Sequence, residues 1–188
     1  MLRNIKEIDL INISYGNCKT VNNTIHVPIK YNSERFIIKT NTVTCIQYDN
    51  EHLMIENEEL IQFVDQIEKK IVKDTSKYGK KWGAKTGSKY ISIINNYDYK
   101  TVININIFDI KPMLYNKDKN IINTDMTGFQ GSIKSLIEVK NIVINNNTNS
   151  NTNIIFVYFV IHQIQFIKSE EIFTQITDFA LSDDDNNS

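Results

Sequence analysis

The sequence predicts a mainly β fold, a five-stranded barrel with one helix between its third and fourth strands. Three observations predict it. Apolar and polar residues alternate with a period of two along most of the 188 residues, which is typical of strands that bury one face. The chain contains 33 Ile and only two Ala, and this composition favours strands over helices. One segment in the middle instead has the spacing of an amphipathic helix.

Three short strands are predicted before the helix. Residues 24–29, 35–39 and 43–48 each carry the apolar and polar alternation of a strand. Thr40-Asn41, between the second and third of these segments, suits a tight hairpin turn. We therefore expect the second and third strands to pair with each other.

A helix is predicted for about residues 57–74. Asn57 suits the N-cap position, and Glu58 and Glu59 lie in the first turn, where the helix dipole favours acidic residues. Lysines occupy the last predicted turn, where the dipole favours basic residues. One apolar stripe runs along this helix and is made of Leu60, Phe63, Val64, Ile67 and Ile71.

Four further strand segments follow the helix. Residues 90–94 and 101–110 are short, whereas 131–145 and 153–168 are long and are predicted to form the arms of an extended hairpin. The polar sequence NNNTNSNTN joins the two long strands and contains too little apolar surface to be ordered by burial. A weaker helical pattern covers residues 170–181.

Strands before and after one helix are the order of the oligonucleotide-binding (OB) fold. We therefore predict a single OB-like β domain over residues 1–168. A jelly roll or an open sandwich would need more strands and usually has no such helix. Residues 169–188 contain six acidic residues and no Lys or Arg, and they are predicted to form an acidic C-terminal tail. Asp183, Asp184 and Asp185 are its candidate regulatory residues, because a mobile acidic end can compete with nucleic acid for a basic surface.

The rest of the chain is mildly basic. The net charge of the protein is −1, but residues 1–168 carry 21 basic and 16 acidic residues, a net of +5. Eight lysines lie within residues 69–89, together with aromatic residues and glycines. Lysines neutralise phosphates without reading the base sequence, and aromatic rings stack on unpaired bases. The candidate nucleic-acid-binding residues are Lys73, Lys77, Tyr78, Lys80, Lys81, Trp82, Lys85, Lys89 and Tyr90.

Residues 77–90 are predicted to form a flexible, glycine-containing loop along which a single strand of nucleic acid lies. In this interpretation Trp82 or Tyr78 stacks on a base. The alternative is a solvated, lysine-rich connection in which Trp82 is tucked into the core. The pattern alone leaves both open.

Signatures of catalysis and metal binding are absent from the sequence. It has no phosphate-binding loop, no nucleophile elbow and no zinc spacing among its three His and two Cys, so no enzyme activity, cofactor or metal is expected. No apolar run approaches the roughly 18–20 residues of a membrane helix, and the charged N-terminus does not fit a signal peptide. Two Cys could form one disulfide at most, which favours reduced thiols in the cytoplasm or nucleus over secretion.

A series of weak features runs in a fixed order along residues 25–168. It consists of Val27-Pro28-Ile29-Lys30-Tyr31, the helical segment 63–72, Lys81-Trp82, Phe108-Asp109 and the strand segments 131–143 and 156–166. In this order the features resemble the single-stranded DNA-binding proteins of nucleocytoplasmic large DNA viruses, which are similar to the acidic-tailed binding proteins of short-tailed phages. One departure is that the phage-type tail ends in an aromatic residue, whereas this chain ends in Asn186-Asn187-Ser188. The resemblance therefore does not extend to recruitment of a polymerase by the tail.

The resemblance implies an OB-fold domain without enzymatic activity that coats unwound DNA during viral replication or recombination, in the host cytoplasm or nucleus. Single-stranded DNA would be its main partner, the acidic tail a candidate contact for replication proteins, and no membrane is implied. The residues themselves leave two other functions open, a structural virion or scaffold protein and an RNA-binding OB-like protein. They also leave the oligomeric state open, with a dimer as one alternative.

Overall fold

The structure, a computed structural model, describes residues 2–146 and 153–169. Within these residues strands dominate and one α-helix, α1 (Glu58–Trp82), follows the eighth strand, so the mainly β class is confirmed. Apart from Ser169, the predicted acidic tail and the helical pattern within it lie outside the described residues. The strands are β1 (Arg3–Asn4), β2 (Ile13–Tyr15), β3 (Lys19–Val21), β4 (Thr24–Tyr31), β5 (Glu34–Arg35), β6 (Ile37–Lys39), β7 (Val43–Tyr48), β8 (His52–Glu56), β9 (Lys89–Tyr90), β10 (Ile94–Tyr97), β11 (Lys100–Asn106), β12 (Met113–Tyr115), β13 (Gly131–Asn145) and β14 (Ile154–Ser169).

The two longest strands, β13 and β14, form the antiparallel hairpin that the sequence predicts. Their register runs from the pair Asn145–Ile154 to the pair Gly131–Ser169, with three register shifts along the way. Such shifts bend and twist a ribbon, which lets one face curve around the core. Residues 147–152, which join the two strands, lie outside the described part of the chain.

The other edge of β13 is shared by three strands in turn. β4, β6 and β7 pair with it antiparallel, one after another along its length. β6 and β7 therefore lie end to end and do not pair with each other, so the predicted hairpin at Thr40-Asn41 is wrong. The reason is that Thr40 binds β13 instead. Its amide donates to the carbonyl of Ser135 (3.0 Å), and its hydroxyl accepts a hydrogen bond from the Ser135 amide (2.8 Å).

The sheet is open rather than closed. Beyond β7 it continues through β8, β11 and β10, all antiparallel, and the short strands β9 and β12 pair in parallel with β14. Within the described residues no hydrogen-bonded ladder joins β10 to β14, so the predicted closed five-stranded barrel is not confirmed. β1, β2, β3, β8 and β12 are not among the predicted strands. The predicted strand over residues 90–94 is wrong, because residues 91–93 form the connection between β9 and β10.

Helix α1 begins where the sequence predicts and ends about two turns later. Asn57 caps its N-terminus by accepting a hydrogen bond from the amide of the third helical residue (2.9 Å). The predicted end at residue 74 is wrong, because no proline follows and Gly79 is tolerated inside the helix at a propensity cost of about 1 kcal/mol. Gly83 ends the helix in the left-handed conformation, with φ of 85°.

The predicted apolar stripe of α1 is buried against the sheet. All five of its side chains are at most 5% exposed. Near the start of the helix the ring of Phe63 packs edge-on against Phe36, with ring centroids 6.4 Å apart. The stripe therefore fixes α1 to the inner face of the sheet. The opposite side of the helix carries the lysines.

Both cysteines are free thiols, Cys18 exposed and Cys45 buried in β7. Among residues 2–146 and 153–169, no group of three or more His, Cys, Asp or Glu is arranged to hold a metal ion. In the same part of the chain no helix is long and apolar enough to cross a membrane.

Candidate nucleic-acid interface

The candidate binding residues lie at the C-terminal end of α1 and in the segment that follows it. The predicted flexible loop over residues 77–90 is wrong in its first half, because the helix extends to Trp82. Lys85 lies in the loop after the helix, and Lys89 and Tyr90 form β9 beside the start of β14. The predicted residues on α1 are Lys73, Lys77, Tyr78, Lys80, Lys81 and Trp82.

Six of the eight lysines in this region form no ion pair within 4.0 Å among the described residues. Lys69 and Lys70 are paired along the helix with Asp65 (2.7 Å) and Asp74 (3.0 Å). No carboxylate of the described chain lies within 4.0 Å of the other ammonium groups. Such uncompensated positive charge attracts polyanions. We call these six residues the helix-end lysines, and they are Lys73, Lys77, Lys80, Lys81, Lys85 and Lys89.

Three of the six helix-end lysines border one of two grooves. Lys80 and Lys85 border a groove of about 680 Å³ between the helix, the following loop and β9. Lys81 borders a groove of about 440 Å³ on another side of the helix, next to β2. Lys73, Lys77 and Lys89 border neither of these grooves. The structure thus brings the lysines to one end of the helix without aligning them in a single strip.

Trp82, the first candidate for stacking, is buried. Only 6% of it is exposed, and its indole packs against the rings of Tyr15 and Tyr78, with centroid distances of 4.9 and 5.8 Å. The indole reaches the surface only where it lines the groove that Lys81 borders. Its position corresponds to the alternative interpretation of the sequence, in which Trp82 anchors the helix in the core.

The other two aromatic candidates are half-buried. The Nζ atom of Lys77 lies 5.0 Å from the centroid of the Tyr78 ring, close enough for a cation–π contact. Tyr90 lies near Glu68, and burial, together with that carboxylate, raises the pKa of Tyr90. Base stacking on Tyr78 stays a prediction.

A second basic surface lies on the outer face of the sheet. Ile133 of β13 is buried in the core, so Lys134 lies on the opposite face. Lys134 is paired in register with Gln165 of β14, and Leu136 with Lys39 of β6. A groove of about 460 Å³ opens here, and no acidic residue of the described chain lines it. We call it the sheet-face groove, and its polar and aromatic lining includes Lys39, Lys119, Lys134, Tyr115, Gln163 and Gln165.

The same face continues across the sheet to the hairpin of β10 and β11. Ser132 of β13 is paired in register with Thr44 of β7, and Thr44 with Glu56 of β8. The carboxylate of Glu56 forms an ion pair with Lys100 of β11 (2.9 Å). This row of side chains connects the sheet-face groove with the far edge of the sheet.

The negative charge of Glu138, the acidic residue of β13, is compensated by neighbouring side chains. Its carboxylate accepts hydrogen bonds from Nε (2.9 Å) and Nη2 (2.8 Å) of Arg35, and Nε2 of His162 lies 2.8 Å away. Burial raises the pKa of Glu138, but the hydrogen bonds from Arg35 and His162 outweigh burial and hold the pKa below its ordinary value. The positive charge of the sheet-face groove is therefore not offset by this carboxylate.

The sheet-face groove is absent from the predicted site, although the sequence contains a signal for part of it. In residues 131–140, GSIKSLIEVK, the alternation places Lys134 and Lys140 on the solvent face of a strand. The alternation does not show that Lys39 and Lys119 lie beside Lys134. Their approach depends on β6 pairing with β13 and β12 pairing with β14, and these pairs join residues far apart in the chain.

Comparison with known proteins identifies related folds among solved structures. No family model matches the sequence, and no curated protein matches it. The structure is similar to a C-terminal truncation of the single-stranded DNA-binding protein from bacteriophage Enc34, with a TM-score of 0.50 and 15% identity over 86% of this chain and 97% of that chain. The two chains share a fold.

Two further structures are similar to a lesser degree. For the single-stranded DNA-binding protein from bacteriophage Enc34 without that truncation, the TM-score is 0.48 at 16% identity, over 87% of this chain and 95% of that chain. For gp2.5, a single-stranded DNA-binding protein encoded by bacteriophage T7, it is 0.43 at 10% identity, over 82% and 98% of the two chains. At the level of the fold, the predicted similarity to phage-type proteins is confirmed by the Enc34 truncation. No comparison supports an origin in large DNA viruses.

Proposed function

We propose that the protein binds single-stranded DNA without preference for base sequence. The observation that carries the proposal is the group of helix-end lysines, whose ammonium groups have no acidic partner among the described residues. Lysines free of ion pairs attract phosphates and do not read bases. The solved structure that shares this fold is that of a single-stranded DNA-binding protein, which supports the same class of ligand.

The sheet-face groove favours an unpaired strand over a duplex. Its lysines are accompanied by the ring of Tyr115 and the amide of Gln163, whereas the amide of Gln165 already donates to the carbonyls of Asn116 (3.3 Å) and Lys117 (3.0 Å). An aromatic ring can stack on an unpaired base, and an amide can bond to its exposed edge, whereas a duplex has already stacked and paired its bases. We therefore propose the sheet-face groove as a second contact region for DNA, in addition to the helix-end lysines.

The setting that we propose is replication or recombination of viral DNA in the host cytoplasm or nucleus, where the protein coats unwound strands and catalyses no reaction. The phage origin of the protein that shares the fold supports a viral setting. Asp183, Asp184 and Asp185 are proposed to compete with DNA for the helix-end lysines and to contact replication proteins.

Titration of a labelled oligothymidine and of the matching duplex, between about 50 and 200 mM salt, tests the proposal. We expect tighter binding to the single strand. If about four lysines contact phosphates, the slope of log K against log salt should be near −3, at roughly −0.7 for each contact. Equal affinity for the duplex would indicate a general basic surface. Tighter binding to single-stranded RNA would favour the RNA-binding alternative, and no binding at about 50 mM salt would favour a structural protein.

The paired lysines offer a matched control. Lys80→Gln and Lys85→Gln each remove an unpaired charge and should make the salt slope less steep by about 0.7. Lys69→Gln removes a charge from the same helix that is already paired with Asp65, and it should change the slope less. Lys39→Gln combined with Lys134→Gln tests the sheet-face groove. Equal effects of all these substitutions would mean that net charge alone governs binding.

A further inference from the structure

The hairpin of β10 and β11 has a tip that does not follow ordinary turn chemistry. Tyr97 and Lys100 are its last paired residues, so Asp98 and Tyr99 form a two-residue turn. Both have positive φ, 47° and 62°, which is characteristic of a type I′ turn. This turn favours Asn, Asp and Gly, because a bulky side chain is strained in the left-handed region.

Two other hairpins of the chain contain the same turn. β3 and β4 are joined by Asn22-Asn23, with φ of 47° and 62°, and β4 and β5 by Asn32-Ser33, with φ of 50° and 65°. Both have a small polar residue at the second turn position, as the geometry favours. The third hairpin has Tyr99 at that position, with the same φ of 62° as Asn23.

No packing contact of the Tyr99 side chain offsets the strain of its backbone conformation. Tyr99 is 104% exposed, and its ring contacts no other ring or cation of the described residues. Tyr97, by contrast, is 43% exposed and donates its hydroxyl hydrogen to Gln47 (3.4 Å). A strained, fully exposed aromatic residue contributes nothing to the stability of the fold, which points to an external ligand.

The tip lies on the same sheet face as the sheet-face groove. Lys100, which closes the turn, pairs with Glu56 (2.9 Å), and Glu56 belongs to the row that leads through Thr44 and Ser132 to β13. Four strand spacings of about 4.8 Å separate β10 from β13, so the tip lies roughly 19 Å across the sheet from the strand that carries Lys134. A single strand bound in the groove can therefore extend to the tip.

The charges at the tip favour a base over a phosphate as the ligand. Asp98 is next to Tyr99 in the turn, and its carboxylate repels a phosphate. The charge of Lys100 is already paired with Glu56. The ring of Tyr99 is thus the group at the tip that suits a nucleic acid, and it can stack on an unpaired base of any sequence.

We propose that Tyr99 stacks on an unpaired base of a single strand held in the sheet-face groove, and that the tip of the β10–β11 hairpin marks one end of the DNA path. The inference rests on the proposed function and adds a residue that the sequence pattern does not single out. The ligand of this residue is a nucleobase.

Tyr99→Asn tests the inference, because Asn suits the turn and the variant should fold at least as well as the parent protein. Its affinity for oligothymidine should fall about fivefold or more, as for loss of one stacked base. The salt slope should not change, since no phosphate contact is removed. Tyr99→Phe should bind as the parent does. Asn23→Gly, in the matching turn of β3 and β4, is the control and should leave binding unchanged.

An oligonucleotide in which every position is abasic separates the loss of base stacking from the loss of phosphate contacts. The parent should bind it less tightly than oligothymidine, and Tyr99→Asn should bind it as tightly as the parent does. If Tyr99→Asn and the parent bind oligothymidine equally, the inference about Tyr99 is overturned while the proposed function stands. If the parent binds no single strand at about 50 mM salt, both are overturned.

Discussion

The indole of Trp82 packs edge-on against the ring of Tyr15, with centroids 4.9 Å apart and ring planes at 65°. Tyr15 also donates its hydroxyl hydrogen to Asp74, which is paired with Lys70 (3.0 Å). Burial, followed by the bond to Asp74, raises the pKa of Tyr15, so its hydroxyl keeps its proton over the ordinary pH range. Tyr15 therefore ties β2 to the C-terminal half of α1.

Trp82→Ala should lower the free energy of unfolding by about 3–5 kcal/mol, because it removes a large buried side chain and leaves a cavity. Urea unfolding followed by circular dichroism measures the change. Lys81→Ala, an exposed neighbour on the same helix, should change stability by less than about 0.5 kcal/mol. Equal stability of Trp82→Ala and the parent would show that the indole is not an anchor. In that case a role in DNA binding would have to be considered again.

Gly83→Ala should destabilise the protein more than Gly87→Ala. Both glycines have positive φ, 85° and 79°, so either substitution incurs backbone strain of about 1–2 kcal/mol. At position 83 the added Cβ would also lie 2.8 Å from Cδ1 of Ile25, a buried side chain that would have to move, whereas at position 87 nothing lies within 4 Å. Thermal melting of the two variants isolates this contact. Equal melting temperatures would mean that Ile25 adjusts freely.

Deletion of residues 182–188, which lie outside the described part of the chain, should tighten binding to single strands, most visibly at low salt. We expect the three aspartates of this end to compete with phosphates for the helix-end lysines. A Debye length of about 10 Å at 0.1 M salt confines the competition to a tail that reaches them. Anisotropy titrations of the full chain and the deletion variant measure the effect. Unchanged or weaker affinity would rule out self-competition and leave a partner-binding or solubilising role.

Glu138→Gln should be less stable than the parent near pH 7, and the difference should shrink in acid. Burial raises the pKa of Glu138, but the bonds from Arg35 and His162 hold it below the ordinary 4.5. The carboxylate therefore contributes stability above the unfolded-state pKa, and this contribution is lost as the pH falls through the lower folded-state pKa. Hydrogen bonds to charged groups contribute about 1.5–3 kcal/mol. We expect the lower end, since the Arg35 side chain is 65% exposed.

Urea unfolding of both proteins from about pH 7 to about pH 3 checks this dependence. The free energy of unfolding of the parent should fall more steeply with acid than that of Glu138→Gln. A constant difference across this range would show that the variant loses stability through packing alone. Glu51→Gln, at an exposed acidic residue, serves as the control and should follow the parent.

The sequence predicts best those elements that are specified by their own residues. The bounds of β7 and β13, and the buried stripe of α1 with its cap at Asn57, follow from local periodicity and capping. Where distant residues decide, the prediction fails. Thr40-Asn41 has the composition of a turn, but the hydroxyl of Thr40 pairs with a strand that lies far along the chain.

In the candidate site, too, features set by neighbouring residues are predicted and contacts between distant residues are not. Charge counting finds the helix-end lysines, because they are neighbours in the sequence. It cannot tell that the indole of Trp82 faces Tyr15, since β2 lies far earlier in the chain. It also cannot assemble Lys39, Lys119 and Lys134 into one groove, because three separate strand pairings bring them together. Tyr99 escapes notice for another reason: its signal is a backbone angle, not a residue pattern.

The central position of β13 has a consequence for how the chain folds. Thr40 and Ser135, which are hydrogen-bonded, are 95 residues apart in the sequence. β4, β6 and β7 are all synthesised early. The edge of each that pairs with β13 stays unpaired until β13 has been synthesised. Closing such long loops before any contact forms is entropically costly, so high contact order should make folding slow. Until β13 emerges from the ribosome, these early strands have open edges, and the nascent protein is at its most prone to aggregation.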